Sequence, residues 1–425
     1  MAFYYTGSST TQYVASSNAS TYFTQAGETI SISGFVNAFL FANTAGAVYV
    51  LAGTAISEDA DAVGAIGSTS DLYVHVLSTG AALGDSDGVE LSGIGARIVN
   101  HGLISGNNDS GAQLLDAGGV LENHGTVTGE RGAVTSDDGR IENHGSITGR
   151  DGIGASFNDR GYLLNTGTIV GNTSGVTGGG SEGGLTVMNS GTIASSEAAF
   201  YSAVQGSTGD DTVINTGVLL GGVNLRQSFD LLRNHGGEVQ GDVDMGEAAD
   251  TVLNRDGAIY GDVDLGSGND LYRGGRGSVV EGRIIAGDDN DTVVGGDGED
   301  TVEGGGGFDL IKGKGGDDVL KGGAGLDTIV GGGGDDEMTG GSLSDLFRVG
   351  KHSGDDVITD FENEVDVVDL RKLSITGSGK VAQVQAAAHD VDGGSIIDLD
   401  ALGGDGSLEL QGLAVSQYGG AEFLF

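Results

Sequence analysis

The sequence predicts an all-β protein, a parallel β-solenoid in which a β-helix continues into a tighter parallel β-roll between N- and C-terminal caps. Three observations predict it. The 425 residues include 84 glycines and no proline. An Asn-centred motif returns about every 20 residues through the middle of the chain, and aspartates then fall on every ninth residue from Asp291 to Asp345. Proline removes a backbone donor, so its absence suits a fold in which nearly every amide donates to a neighbouring strand. Glycine stands at about three times its average share without a collagen-like triplet period, as strand-linking turns require.

Residues 1–90 show no clear repeat, carry almost no charge before Glu58, and hold 11 of the 24 aromatic residues. The end of a solenoid exposes an unpaired strand layer and an open core, so this region is expected to form an aromatic-rich β cap, with an assembly or adhesion patch as the sharper alternative. Within it Gly34 to Gly53 is uncharged and fairly apolar. Asn37, Asn43 and Thr44 interrupt it among Phe35, Phe39, Phe41, Val48, Tyr49 and Val50, so short strands are expected rather than a membrane helix. The first Lys or Arg is Arg97, and no basic n-region of a secretory signal peptide precedes it; export is expected to use another route.

Residues 91–285 read as a β-helix. The motif Asn-x-Gly-x-apolar recurs at Asn100, Asn123, Asn143, Asn165, Asn189, Asn215, Asn234 and Asn254, in steps of 19 to 26 residues. Copies such as IVNHGLISG and IENHGSITG alternate, so the apolar residues share one strand face and face the core. One Asn per coil stacks its amide in a ladder, and the Gly two residues on is expected to permit a φ > 0 turn. His101, His124 and His144 follow three of these Asn residues. Thr, Ser and Arg occupy that place in most later coils, so no histidine metal site is expected. Asp211, Asp230, Asp250 and Asp270 precede apolar strands at steps of 19, 20 and 20, as if a second motif grows out of the first.

The 19 basic against 61 acidic residues leave a net charge of -42, which excludes nucleic acid or an anionic membrane as the expected partner and favours cations. Without cysteine there is no disulfide and no thiolate ligand or nucleophile. Carboxylates so dense repel one another in a compact state unless a counter-charge intervenes, and divalent metal supplies it most economically.

Residues 286–348 show where those carboxylates lie. Asp291, Asp300, Asp309, Asp318, Asp327, Asp336 and Asp345 each close a glycine turn, as in GGGGFDLIK and GGAGLDTIV, and precede a short strand with an apolar middle residue. Two such units make an 18-residue coil, which puts Asp291, Asp309, Asp327 and Asp345 on one edge and Asp300, Asp318 and Asp336 on the other. Ca²⁺ takes six to eight oxygens and tolerates irregular geometry. Turns free of Cβ atoms let backbone carbonyls point at one cation, so the expected ligands are these carboxylates with the carbonyls of Gly295, Gly304, Gly313, Gly322 and Gly331.

These units resemble the repeats-in-toxin family of hemolysin-type calcium-binding proteins, whose repeat is GGxGxDxUx with U a large apolar residue. The resemblance implies a parallel β-roll binding Ca²⁺ between coils through turn carbonyls and the sixth-position Asp, here Asp300, Asp309, Asp318, Asp327, Asp336 and Asp345, with Asp291 a seventh. Lys314 replaces the second Gly of its unit, and Ser342 with Leu343 depart from the last, which puts that turn's coordination in question. Residues 349–425, with GDDVITDFENEVDVVDLRKL and the terminal AEFLF, resemble the region that caps such rolls and carries an uncleaved type I secretion signal; the residues themselves indicate capping strands.

The expected function is that of a secreted, calcium-binding structural or adhesive protein of a bacterial surface or matrix, folding on calcium after export, with self-association or cell-surface polysaccharide as further partners. No enzyme is expected. Gly179-Gly-Ser181-Glu-Gly183 matches GxSxG literally but lies in a glycine run, not at a strand-to-helix turn. A polysaccharide lyase or epimerase is the alternative, since β-helices host such sites; scarce Lys and Arg count against it. A toxin would carry a membrane-active helix or catalytic domain, and neither is legible.

Overall fold

A computed structural model describes residues 3–4, 13–15, 21–24, 29–32, 39–42, 48–57, 60–66, 72–180, 183–197 and 201–425. Residues 33–38 and 43–47 of the apolar stretch, Glu58, and Ser181 with Glu182 of the literal GxSxG, lie outside the described residues. The chain divides into two compact units, Met1–Gln227 with Val239–Gly241, and Ser228–Glu238 with Asp242–Phe425. Each is a parallel β-solenoid.

In the first unit every coil contributes one strand to each of three parallel ladders. Arg97–Asn100, Val120–Asn123, Gly139–Asn143, Gly161–Asn165, Leu185–Asn189 and Thr212–Asn215 pair in register as the first. The period of two sends alternate side chains inward. Ile98, Leu121, Ile141, Leu163, Val187 and Val213 therefore stack as a column at most 1% exposed. Ile104, Val127, Ile147 and Ile169 repeat this in the second ladder, and Ala112, Ala133, Ala155 and Val176 in the third, all buried. Full burial of one such aliphatic side chain stabilises by about 1.5–3 kcal/mol, so three columns carry each coil without help from charge.

The strands described before residue 92 belong to the same three ladders. Thr21–Thr24, Val48–Leu51 and Tyr73–Val76 lead into Arg97–Asn100 in parallel register, at coil steps of 27, 25 and 24. The region without a legible repeat is thus built of coils. Leu51 and Val76 hold the register of Asn100, so the polar marker of the repeat is missing there.

In the first unit the glycine of the Asn motif plays a different part from the one expected, whereas Gly236, after Asn234, takes the expected positive φ, 68°. Gly102, Gly125, Gly145 and Gly167 are not among the residues with positive φ. A Cβ on Gly145 would instead strike the Gly125 carbonyl oxygen of the coil below, and Gly125 and Gly167 meet the same obstacle. Close stacking of coils, not turn conformation, demands glycine there.

The second unit begins with three strands per coil and ends with two. The last strand on its middle ladder is Val279–Val280, paired with Ala258–Ile259. Beyond it two ladders remain. Thr292–Val294, Leu310–Gly315, Thr328–Gly333, Leu346–Arg348 and Val367–Asp369 form one. Ile284–Asp288, Thr301–Gly307, Val319–Gly325, Glu337–Ser342 and Gly354–Ile358 form the other. Val293, Ile311, Ile329 and Phe347 face Val302, Leu320, Met338 and Ile358 across the interior, each at most 1% exposed. A coil here has two inward-facing columns where a coil of the first unit has three, so less of its stability comes from apolar burial.

The tail covers the last coil. Gly406–Gln411 pairs in parallel with Gly354–Ile358 and antiparallel with Gly394–Asp398, while Phe423–Leu424 adds to Val367–Asp369. A short helix, Lys380–Ala387, was not expected; its Ala, Gln and Lys content favours helix, and Val384 is its buried residue. Asp369, buried beneath the guanidinium groups of Arg371 and Arg348, is held well below the usual carboxylate range, chiefly by the Arg371 hydrogen bonds. Among the described residues no helix is long and apolar enough to cross a membrane.

Candidate metal centre

The structure brings the nine-residue aspartates into two columns, one on each edge of the two-ladder coils. On the first, the amide of Asp291 donates to Asp309 Oδ1 at 2.8 Å, that of Asp309 to Asp327 Oδ1 at 2.8 Å, and that of Asp327 to Asp345 Oδ1 at 2.9 Å. On the second, Asp300 donates in the same way to Asp318 and Asp318 to Asp336. Each carboxylate from Asp309 onward is thereby pinned by one oxygen to the amide of the coil before it. All seven residues are 1–7% exposed.

The second oxygen is the unusual feature. Oδ2 of Asp291, Asp309, Asp318, Asp327, Asp336 and Asp345 is buried with no hydrogen-bond donor. A buried polar atom left so costs about 1–3 kcal/mol, more when charged, and one repeated in every coil calls for a common partner. Burial, before any other cause, pushes these carboxyls up: Asp291 to about 8, Asp318 and Asp345 to about 7, Asp309 and Asp336 to about 6, with Asp327 and Asp300 also raised.

The first glycine of each turn shows what surrounds those oxygens. A Cβ on Gly322 would lie 2.5 Å from Asp327 Oδ2 and 2.6 Å from the Gly340 carbonyl oxygen. Gly304 has Asp309 Oδ2 and the Gly322 carbonyl in the same places, and Gly313 has Asp318 Oδ2 and the Gly331 carbonyl. At Gly295 the pair is Asp300 Oδ2 with the Gly313 carbonyl, and at Gly331 the near atom is Asp336 Oδ2. A carboxylate oxygen and a backbone carbonyl from the next coil therefore converge where a side chain would otherwise sit. Oxygen donors alone, carboxylate and backbone carbonyl together, suit Ca²⁺. Gly305, Gly323, Gly332 and Gly341, second in their turns, take φ of 103° to 131°, a conformation that favours glycine.

Both columns extend past the strict spacing. The amides of Asp250 and Asp270 donate to Asp270 and Asp291, and both residues leave Oδ2 buried without a donor. Downstream, Asp345 donates to Asp366 and Asp336 to Asp356, at separations of 21 and 20 that break the nine-residue count and hid them in the sequence. Asp211 lies differently, for its two oxygens accept from Leu185 and Ser207. In the last unit Asp360 accepts the amides of Gly340 and Gly341 at 2.9 and 2.8 Å, so a side chain closes the turn where Ser342 and Leu343 depart from the pattern.

The first unit holds two groupings that spacing did not reveal. Carboxylate oxygens of Asp61, Asp87 and Glu90 lie within 4.8 Å of one another, and burial with the charges of Asp109 and Asp61 pushes Asp87 up to about 7. Along one side of the first ladder, half-buried His75 joins His101, His124 and His144, which are exposed in the bends just past their strands, with neighbouring ring centroids 4.7 to 5.2 Å apart. His75 sits one residue off the Asn register, where alignment on the motif misses it.

The chain matches known proteins over this same region. The model of the RTX calcium-binding nonapeptide repeat matches residues 282–311 and 312–347. A similar solved structure is the AlgE6R3 subunit from the Azotobacter vinelandii mannuronan C5-epimerase, 27% identical over 32% of this chain and 79% of that chain, with a TM-score of 0.23. No curated protein matches the chain. Residues 282–347 are an array of RTX calcium-binding nonapeptide repeats on a β-solenoid.

Proposed function

We propose that this is a secreted calcium-binding solenoid with a structural or adhesive role at a cell surface or in extracellular matrix, folding when it meets calcium outside the cell. The observation that carries the reading is the buried, donorless Oδ2 repeated in six aspartates from Asp291 to Asp345, with a glycine carbonyl converging beside it at Asp309, Asp318 and Asp327. Asp291, Asp300, Asp309, Asp318, Asp327, Asp336 and Asp345 are its ligands, with the carbonyls of Gly295, Gly304, Gly313, Gly322 and Gly331. Calcium supplies the positive charge between coils; the chain supplies oxygens held in place by its hydrogen-bonded amides.

The energetics make this a switch. A site whose Kd is about 10⁻⁴ M, within the extracellular range, gains about 1.4 kcal/mol at about 1 mM calcium and almost nothing at micromolar levels. Several sites in one stack add, because each coil rests on the next. The coils then order outside the cell, where calcium is abundant, and stay loose before export through a type I route carried by residues 349–425.

Calorimetric titration with CaCl₂, followed by far-ultraviolet circular dichroism, tests the reading. Multiple ions bound with a gain of β signal are expected; the same spectrum and melting temperature in excess chelator would sink it. Incubation of the calcium-loaded protein with acidic polysaccharides decides the role. Self-assembly or attachment supports a scaffold, whereas release of unsaturated or epimerised oligosaccharides would replace it with the polysaccharide-acting enzyme.

A further inference from the structure

The turn Gly295–Asp300 differs from those that follow it. Gly296 is not among the residues with positive φ, and its amide donates to Asp300 Oδ2 at 2.6 Å, so the oxygen left bare in the other six nine-residue aspartates is occupied here. One coil on, Lys314 stands second in its turn with φ 84°, a left-handed conformation that favours glycine. A lysine there forgoes the conformational ease of glycine and brings a side chain that can reach back across the coil. The residue as a whole is exposed, yet its ammonium reaches back and donates to the carbonyl oxygens of Gly295 at 2.7 Å and Gly274 at 3.0 Å. Its charge also favours the ionised form of Asp300.

We propose that Lys314 Nζ is the resident cation of the first turn on the second aspartate column, standing where a calcium ion sits in the turns beyond. The inference rests on the calcium reading above, because the Gly295 carbonyl belongs to the same set of first-glycine oxygens, and it refines that reading: in wild type Gly295 serves the ammonium, and Asp300 the Gly296 amide, in place of an ion. An ammonium brings one positive charge and three donors, and being tethered it does not leave when calcium falls. The first nonapeptide turn is therefore closed in the absence of metal. Solenoid coils order on a formed neighbour, so this turn serves as the seed on which the ion-dependent coils build.

The test uses the full chain as wild type, Lys314→Gly and Lys314→Met. In calorimetric titration with CaCl₂, Lys314→Gly is expected to take up one more ion per chain than wild type. In excess chelator, Lys314→Met, which keeps the stem without the charge, is expected to lose about tenfold in hydrogen-exchange protection over residues 292–300. Unchanged ion count in Lys314→Gly together with unchanged protection in Lys314→Met overturns the inference. Absence of calcium uptake by wild type overturns the calcium reading instead, whatever the lysine variants do in chelator.

Discussion

Asn143 in the first unit and Asp327 in the second do the same mechanical task with different consequences. Each is buried and ties one coil to the next through a side-chain hydrogen bond. The Asn amide carries donors as well as an acceptor, so Asn100, Asn123, Asn143, Asn165, Asn189 and Asn215 link head to tail at 2.7–2.8 Å. An ionised carboxylate only accepts. Asp327 takes the amide of Asp309 on Oδ1 and has nothing for Oδ2. One ladder satisfies itself; the other is completed by a cation. On the reading proposed above, the exchange of an amide for a carboxylate, with one ladder fewer to bury, makes a coil depend on its surroundings.

Removal of calcium tests that contrast most severely. Chelation is expected to abolish exchange protection over residues 301–348, with the three-ladder coils of residues 98–200 keeping theirs. Equal loss in both stretches would erase the distinction between them.

Next in size is the conversion of one ladder into the other. Asn143→Asp removes the donor to Asn165 Oδ1 at 2.8 Å and to the Thr168 carbonyl at 3.1 Å, and sets a buried charge against both oxygens. The expected cost is about 3–5 kcal/mol at neutral pH, against about 1–3 for Asn143→Ala. Thermal melts of the two variants in saturating calcium check the order. An Asp variant as stable as wild type would show that the amide ladder is dispensable.

The converse change acts through the metal. Asp309→Ala with Asp327→Ala removes two carboxylates from one column and is expected to weaken calcium uptake about tenfold for each, some 2.8 kcal/mol in all. The two-ladder coils should loosen at calcium concentrations that saturate wild type, with residues 98–200 mostly intact. A titration curve indistinguishable from wild type would remove both residues from the ligand set.

Much of this was legible because the informative residues are polar and recur. Nine-residue spacing placed Asp291 to Asp345 on alternate edges, and the register confirms that placement. The Asn steps likewise fixed the first ladder from Asn100 onward. Where the marker changes chemistry, periodicity fails: Leu51 and Val76 sit in the Asn register as apolar residues, so the earlier coils read as patternless. Asp356 and Asp366 escaped because loop insertions alter the count without moving the column. The role of Gly145 was misjudged for a further reason. Sequence shows that a side chain is excluded, but not whether a dihedral angle or the neighbouring Gly125 carbonyl excludes it.

Acidification distinguishes the metal-free states. A carboxyl raised by burial stabilises the fold fully below about pH 4, its unfolded value, and that contribution disappears as pH rises through the folded value. For Asp309, Asp318 and Asp291 those folded values are about 6, 7 and 8. In chelator the second unit should therefore gain order between pH 8 and pH 5, melting about 2–4 °C higher for each kcal/mol recovered. Further loss of order on acidification would mean that the columns are not desolvated.

The histidine stack gives the smallest effect and the opposite sign. His75 is lowered by burial and then by His101, with Glu122 pulling the other way. Its contribution is present above about pH 6.5, the unfolded value, and fades as pH falls through the lower folded value. The His101 ring lies 5.2 Å from that of His75 between centroids, and salt screens the repulsion between the two. Exchange protection of residues 98–100 and 121–123 should fall about fivefold or less between pH 7.5 and 5.5, and less again in His75→Ala. Protection rising there in step with the aspartate coils would assign both stretches one electrostatic response, and the separation of a self-sufficient ladder from a cation-dependent one would fail.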